Sequence, residues 1–254
     1  MKKTYFIPFL AAMFCACTDR PDNADKSIEF NWGKASLCIE NPIAPGDSLC
    51  YHIEFNLDTL AGDFALAKSL SAVLRDSVIA AGNFATVREA MQAYADTTEA
   101  EWKEELAERY IDQPDYREIL QYHYAVEGNP EPNGCDSILS YITKTDCYLG
   151  GAHGSYFVGY YNFDVKTGKL LNISDVVPAD KEASVMKAME EQLCRDWKAK
   201  DLADLQEKTG ITLLGNLYLT NNFLIRGDSI EFLFNQYEIA PYAAGLIGIT
   251  VARP

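Results

Sequence analysis

Residues 148–177, YLGGAHGSYFVGYYNFDVKTGKLLNISDVV, constrain the fold more than any other stretch of the chain. Gly150-Gly151-Ala152-His153-Gly154 is a glycine-rich turn, where backbone can take positive φ and approach other backbone closely. Ser155–Asp164 is rich in Tyr, Phe and Val, the residues that suit a pleated sheet. Period-two geometry sends Tyr156, Val158, Tyr160 and Asn162 to one face and Phe157, Gly159, Tyr161 and Phe163 to the other. Both faces are largely apolar or aromatic, which predicts a strand in the centre of its sheet. Lys166-Thr167-Gly168 then reads as a tight turn and Lys169–Asn172 as a return strand. Ser174 or Asp175 is placed to cap a short helical turn that Pro178 closes.

The remaining chain alternates blocks of strand and helix. Ile28–Trp32 and Ala35–Glu40 read as short strands. Leu49–Leu57 reads as a half-buried strand with Leu49, Tyr51, Ile53, Phe55 and Leu57 on one face. Residues 63–81 carry a helical stripe ended by Gly82-Asn83. Thr86-Val87-Arg88-Glu89 has the pattern of a capping box. It opens a second helix bearing Met91, Tyr94, Trp102, Leu106 and Tyr110, with a break expected near Asp96-Thr97-Thr98. Its acidic face, Glu99, Glu101, Glu104, Glu105 and Glu108, reads as solvated surface. Tyr116–Val126 and Ser137–Leu149 read as strands around a hairpin loop at 128–134. Residues 180–198 form a helix with Val185, Met189, Leu193 and Trp197 on its stripe. Leu202 and Leu205 continue it past a bend, and Gly210 stops it. The end is a meander of Asn216–Thr220, Phe223–Ile225, Ser229–Phe234 and Leu246–Val251. Strict βαβ alternation is absent, so the expected class is α+β, with antiparallel sheets (hairpins and the C-terminal meander) packed with a few helices.

The first residues carry an address rather than a fold. Lys2-Lys3, the apolar run Tyr5–Phe14 and Phe14-Cys15-Ala16-Cys17 form a secretory signal that resembles a lipoprotein signal, with Cys17 as the residue expected to be lipidated and ordinary signal cleavage as the alternative. The expected organisation is a signal peptide at 1–16, a polar tether at 17–27, an N-terminal α+β region at 28–177, and a C-terminal helix plus meander at 178–254. The apolar run is too short for a membrane span, so the expected membrane attachment is through lipid alone. This predicts an exported, envelope-bound protein on the periplasmic or outer-membrane face. The net charge of −15 becomes −17 when Lys2 and Lys3 leave with the signal, which argues against nucleic acid as a ligand. Beyond Cys15 and Cys17, five cysteines remain: Cys38, Cys50, Cys135, Cys147 and Cys194. Cys38 and Cys50 flank a Pro/Gly turn and are candidates to pair across a hairpin, with buried free thiols as the alternative. The absence of CxxC leaves redox and zinc-ribbon readings without support.

Two blocks, GGAHGSYFVGYYNFDVKTGKLLNISDVV at 150–177 and NNFLIRGDSIEFLFNQYEIAPYAAGLIGITV at 221–251, resemble the RsiV/PdaC-like extracytoplasmic domain family, a domain of unknown function. The similarity spans about residues 28–253 and is specific in those two blocks. The resemblance implies an extracytoplasmic domain that, in the RsiV type, binds lysozyme as part of an anti-sigma factor. In the PdaC type it precedes a polysaccharide-deacetylase domain. Here there is no transmembrane span, sigma-binding segment or deacetylase HxxxH, so the expectation is the extracytoplasmic domain alone on a lipid tether. What carries over is binding of a wall glycan (peptidoglycan) or of a wall-directed protein such as lysozyme.

The chemistry-bearing residues are few. His52, His123 and His153 lack helical i, i+4 spacing, so no sequence-local metal site is visible; no metal and no cofactor are expected. Ser155 in GAHGSY is not a GxSxG elbow. Asp146, Asp164 and Glu238 are carboxylates whose mutual placement sequence does not give. The expected ligand-binding residues are Gly151, His153, Gly154 and Tyr156 in the first block and Tyr237, Glu238 and Tyr242 in the second, because aromatic rings stack on sugars and anchor protein interfaces. The leading reading is a non-catalytic binder. The alternatives are an enzyme acting on peptidoglycan or another glycan, and a purely structural envelope lipoprotein.

Overall fold

The computed structural model describes residues 30–42, 46, 50–112, 121–209 and 217–254. The signal at 1–16, Cys17, the tether, Ile28, Leu49, residues 116–120, Gly210 and Asn216 lie outside the described residues, as do the side chains of Glu108 and Tyr110. The architecture is α+β. Strands β1 (Trp32–Pro42), β2 (Cys50–Leu60), β3 (Tyr122–Glu131), β4 (Ile138–Leu149) and β5 (Ser155–Asp164) form one sheet in sequence order. Strands β6 (Phe223–Arg226), β7 (Ser229–Phe234) and β8 (Ile247–Ala252) form a second, antiparallel sheet.

The alternation in β2 does what its pattern predicts. Tyr51, Ile53, Phe55 and Leu57 are buried against helices α1 (Ala65–Val73) and α2 (Val87–Asp112), each burial worth about 1.5–3 kcal/mol. The capping box of α2 is present: Thr86 N–H donates to Glu89 Oε2 at 3.0 Å and Glu89 N–H to Thr86 Oγ1 at 3.2 Å. The expected break near Asp96–Thr98 does not occur. Thr98 returns its hydroxyl to Tyr94 O at 2.9 Å and meets the Tyr51 hydroxyl at 2.6 Å, so its hydrogen bonds serve the helix and the sheet rather than a new helix start. Burial pushes the Tyr51 phenol pKa up to about 12.

Three further expectations are corrected in the first sheet. The β2–β3 pair is parallel, unlike the other pairs, because α1 and α2 carry the chain back to the end where β2 began. Of the strand expected at 28–32, Phe30 and Asn31 are irregular, and β1 starts at Trp32 and runs unbroken to Pro42. The described cysteines are all free thiols. Cys38 stands opposite Glu54 and Cys50 opposite Pro42, four positions out of register, or about 13 Å along the strands. No disulfide spans that distance.

In the C-terminal part, α4 (Glu182–Asp196) lays Val185, Met189 and Leu193 on Phe223, Ile225, Phe232 and Ile249 of the second sheet. Trp197, expected on the same stripe, is 40% exposed because the helix ends before it. The short helices α3 (Ile173–Val176) and α5 (Leu202–Thr209) flank α4 in sequence. The cap of α3 is Asn172, paired in a capping box with Asp175, rather than Ser174. Lys169–Asn172 forms only the bridge Phe163↔Leu170, not a strand, and residues 217–220 are irregular. Gly168 takes φ +72°, and a Cβ there would lie 2.5 Å from the Ala65 carbonyl carbon. Only glycine lets this turn rest against α1.

The two sheets meet along β5. Contrary to expectation, β5 is the edge strand of its sheet. Its apolar faces are explained by packing on both sides. Phe163 joins the first core, with Tyr161 against it, while Val158 packs with Ile142 of β4 and with Leu224 and Leu233 of the second sheet. The unpaired backbone edge is sealed by side-chain amides in place of a sixth strand. Val158 N–H donates to Asn235 Oδ1 and Tyr160 N–H to Asn222 Oδ1, both at 2.8 Å, and Tyr156 N–H donates to Gln236 Oε1 at 3.1 Å. Asn222 Nδ2 returns hydrogen bonds to Val158 O and Leu233 O at 3.0 Å. An open strand edge is a template for aggregation, and these amides close it.

Candidate functional site

The amide seal at β5 also fixes the geometry of the site. By holding Asn235 and Gln236 on β5, it swings the following loop onto the glycine-rich turn that precedes the strand. Residues more than eighty positions apart then form one aromatic platform. His153 stacks on Tyr242 with ring centroids 4.0 Å apart and planes 27° apart. Tyr237 lies beside both, 6.5 Å from His153 and 5.7 Å from Tyr242. The Tyr242 hydroxyl donates to Gly154 O at 2.8 Å, and His153 Nδ1 meets the same carbonyl at 2.9 Å. A carbonyl only accepts, so Nδ1 carries the proton. Nε2 faces the Tyr237 hydroxyl at 3.4 Å. Gly154 suits the close approach of the backbone here: a Cβ would stand 3.0 Å from Cys147 O.

The platform is solvent-facing. Tyr237 is 55% exposed and holds φ at +68°, a left-handed conformation that is uncommon for a bulky side chain. Exposed aromatic area and a strained backbone at one residue both count against stability. Tyr156 joins the site through its backbone bond to Gln236, and its ring is exposed on the neighbouring sheet face. Gly151, at φ +95°, shapes the turn, and its carbonyl accepts from the Tyr148 hydroxyl at 2.9 Å. Glu238 has its own described contacts. Its N–H donates to Asn235 O, and its carboxylate acts on Tyr218, whose phenol pKa is pushed up by burial first and by Glu238 second. The platform therefore comprises His153, Tyr237 and Tyr242, framed by Gly154 and Gln236. The amides Asn222, Asn235 and Gln236 escaped sequence reasoning. Their trace in sequence is the pairs Asn221-Asn222 and Asn235-Gln236 at the ends of the β6–β7 segment.

The other polar groups do not assemble around Ser155, and the carboxylates of Asp146 and Asp164 stand far apart. Both ring nitrogens of His153 are engaged elsewhere than Ser155. Asp146 sits opposite Tyr156 and Asp164 opposite Ile138, at the two ends of the β4–β5 pair. Eight residues along β5 separate them by roughly 26 Å, far beyond the 5–9.5 Å of paired glycosidase carboxylates. Asp164 instead accepts from Thr167 N–H and Oγ1, both at 2.7 Å, and these bonds lower its pKa. His52 and His123 do converge, stacked at 5.2 Å on β2 and β3. Among the described residues no group of three or more His, Cys, Asp or Glu side chains stands in an arrangement that holds a metal ion. Among the same residues no helix is long and apolar enough to cross a membrane.

Comparison with known proteins finds a likeness to an uncharacterised domain over part of the chain. Residues 174–253, which carry α4, the second sheet and the Tyr237–Tyr242 loop, match the model of a family described as protein of unknown function (DUF3298). The fold is similar to the crystal structure of a DUF3298 family member from Bacteroides fragilis, with a TM-score of 0.74 at 20% identity, covering 89% of this chain and 91% of that one. It is also similar to a DUF3298 family protein from Pseudomonas aeruginosa, with a TM-score of 0.59 at 14% identity, covering 89% of this chain and 92% of that one. At these identities the likeness is one of fold. No curated protein matches the chain.

Proposed function

We propose that this protein is a non-catalytic, lipid-anchored component of the cell envelope that binds a wall glycan on the Tyr237–His153–Tyr242 platform. The observation that carries the reading is Tyr237, a large ring held exposed on a left-handed backbone at a cost to stability. Local strain of this kind, kept in place by a surrounding scaffold, is characteristic of ligand-binding positions. Adjacent rings with half-exposed faces present the apolar surface on which sugar rings stack, and the hydroxyl of Tyr237 and the backbone around Gly154 supply polar edges. The RsiV/PdaC resemblance and the lipoprotein-like leader supply the envelope setting. A second reading, capture of a basic wall-directed protein such as lysozyme, is favoured by the net charge of −15.

The test is binding of the mature chain, residues 18–254, to soluble peptidoglycan fragments and to lysozyme at low and moderate salt. Tyr237→Asn removes the ring while suiting the positive φ. It is expected to weaken glycan binding about tenfold, a loss of about 1.4 kcal/mol, and to leave thermal stability unchanged or raised. Glycan affinity equal to wild type in this variant overturns the platform. Lysozyme binding that survives moderate salt, with no glycan binding, replaces the reading with the second one. Release of product from the fragments would make the protein an enzyme.

A further inference from the structure

The two edges of the first sheet differ. The β5 edge is closed by the amides of Asn222, Asn235 and Gln236. The β1 edge pairs with β2 on one side and runs unbroken for 11 residues, its only proline at the last position. One hydrogen bond shows which of its backbone groups face outward. Ala61 N–H donates to Asn31 O at 3.0 Å, and these two residues continue the β1–β2 register by one step. Opposed residues in an antiparallel pair alternate between bonded and non-bonded. Gly33, Ala35, Leu37, Ile39 and Asn41 therefore bond to β2, while Lys34, Ser36, Cys38 and Glu40 turn their N–H and C=O groups away from it. Arg88 Nη1 of α2 agrees with that assignment, since it reaches Ser36 O at 3.2 Å. It occupies one of that carbonyl's two lone pairs. Among the described residues, no other side chain hydrogen-bonds the outward backbone of these four positions.

Side chains alternate with the same period. Lys34, Ser36, Cys38 and Glu40 are exposed on the face turned away from α1 and α2, while Ala35, Leu37 and Ile39 lie against the first core. We infer that this edge pairs with the same edge of a second copy of the chain, antiparallel about a twofold axis at Leu37. Lys34 then stands opposite the other copy's Glu40, and Glu40 opposite its Lys34. Ser36 and Cys38 face each other in the same way, and each such pair exchanges two backbone bonds. On the helix face the two Leu37 side chains meet, and each Ala35 meets an Ile39, so apolar contact joins the two cores across the seam. Charge selects the register. A shift of two residues either way sets Lys34 against Cys38 or Pro42 and opposes no charges. A shift of one sets core-side residues against solvent-side residues. In-register parallel pairing would bring Lys34 to Lys34 and Glu40 to Glu40. The patch is thus complementary to itself, as a twofold dimer requires. Both copies carry the second sheet on the same side, because it packs on the face that holds Ile142 and Val158. Two platforms would then stand roughly 40–50 Å apart, at about 4.8 Å per strand. If the glycan reading holds, the dimer is a bivalent binder of a polymer; the dimer itself does not rest on that reading.

The experiment is sedimentation equilibrium of the mature chain, residues 18–254, from about 1 μM to about 500 μM, at moderate salt to screen the repulsion between two acidic copies. A reversible monomer–dimer equilibrium is expected. Glu40→Lys and Lys34→Glu each turn two opposed pairs into two like pairs, and each should weaken dimerisation about tenfold or more. Glu40→Lys also lowers the overall negative charge, so a non-specific charge effect would act in the opposite sense. The double variant Lys34→Glu, Glu40→Lys restores opposed charges and should recover wild-type dimerisation. Both positions are exposed, and the unfolding midpoints of dilute, monomeric variants should equal wild type. A chain that stays monomeric throughout overturns the inference. A dimer indifferent to both single variants overturns it too, by placing the interface elsewhere, and so does a dimer that the double variant fails to recover. None of these results touches the glycan platform, which the Tyr237→Asn titration tests separately.

Discussion

Asn162 is the polar clasp between the two sheets, and its replacement tests how they are joined. Its side chain is 1% exposed. Oδ1 accepts from Ser140 Oγ at 2.7 Å and from Ile225 N–H at 3.3 Å, while Nδ2 donates to Phe223 O at 2.7 Å. Ser140 in turn accepts from Asn133 Nδ2 at 2.8 Å, so one chain of bonds runs from the β3–β4 hairpin through β5 into β6. Asn162→Ala strands a buried hydroxyl, a buried carbonyl and a weakly bonded N–H. At about 1–1.5 kcal/mol for each of the first two and less for the third, the loss is about 3 kcal/mol. This corresponds to a fall of about 1 M in the urea midpoint. Asn162→Asp sharpens the test. The buried carboxyl has no cation beside it, so its folded pKa rises above the unfolded value of about 3.9. Protonated, it donates to Phe223 O and mimics the amide; ionised, it faces that carbonyl with like charge. The stability of Asn162→Asp relative to wild type should therefore be nearly intact at pH 4 and fall as pH rises through the folded pKa toward 7.5. Urea melts at pH 4, 5.5 and 7.5 measure it. An offset that does not change with pH, or an Asn162→Ala cost below about 1 kcal/mol, refutes the claim that this amide holds the sheets together.

Gly168→Ala should cost about 2–4 kcal/mol, because it adds strain at φ +72° to a collision with the backbone of Ala65 and Leu66. Gly227→Ala, at φ +56° in open space, should cost only about 1 kcal/mol in the same thermal melts; equal costs would show that the contact with α1 is not tight. Asp175 is held below the ordinary carboxylate range by Lys169 Nζ at 2.5 Å and by the Asn172 N–H, and Asp204 by Lys208 Nζ and the Lys200 N–H. Their folded pKa values are depressed, so the stability they give is present above about pH 4 and is lost as pH falls through the folded values. Asp175→Asn should flatten the acid limb of the stability profile and leave its slope above pH 5 unchanged, read by denaturant melts across pH 2–7.

The sequence by itself determined the elements whose signals are local. The alternation of Tyr51, Ile53, Phe55 and Leu57, the Thr86–Glu89 capping box and the Lys166-Thr167-Gly168 turn each act within one strand, one helix end or one turn. The α+β class follows from their order. The two blocks at 150–156 and 237–245 were also legible as candidate binding surfaces, because glycines and exposed-type aromatics cluster there. What the sequence left open are the relations between elements, which depend on distant partners. An apolar strand with two buried faces reads the same whether its edges are hydrogen-bonded to strands or to amides, so β5 looked central and is an edge. Cys38 and Cys50 are close in sequence but out of register across the β1–β2 pair, and register is set by the full hydrophobic pattern of both strands. His153 meets Tyr237 and Tyr242, and His52 meets His123, only because tertiary packing closes gaps of about seventy to ninety residues. Ring stacking and donor geometry act over a few ångströms in space, and no spacing along the chain encodes them.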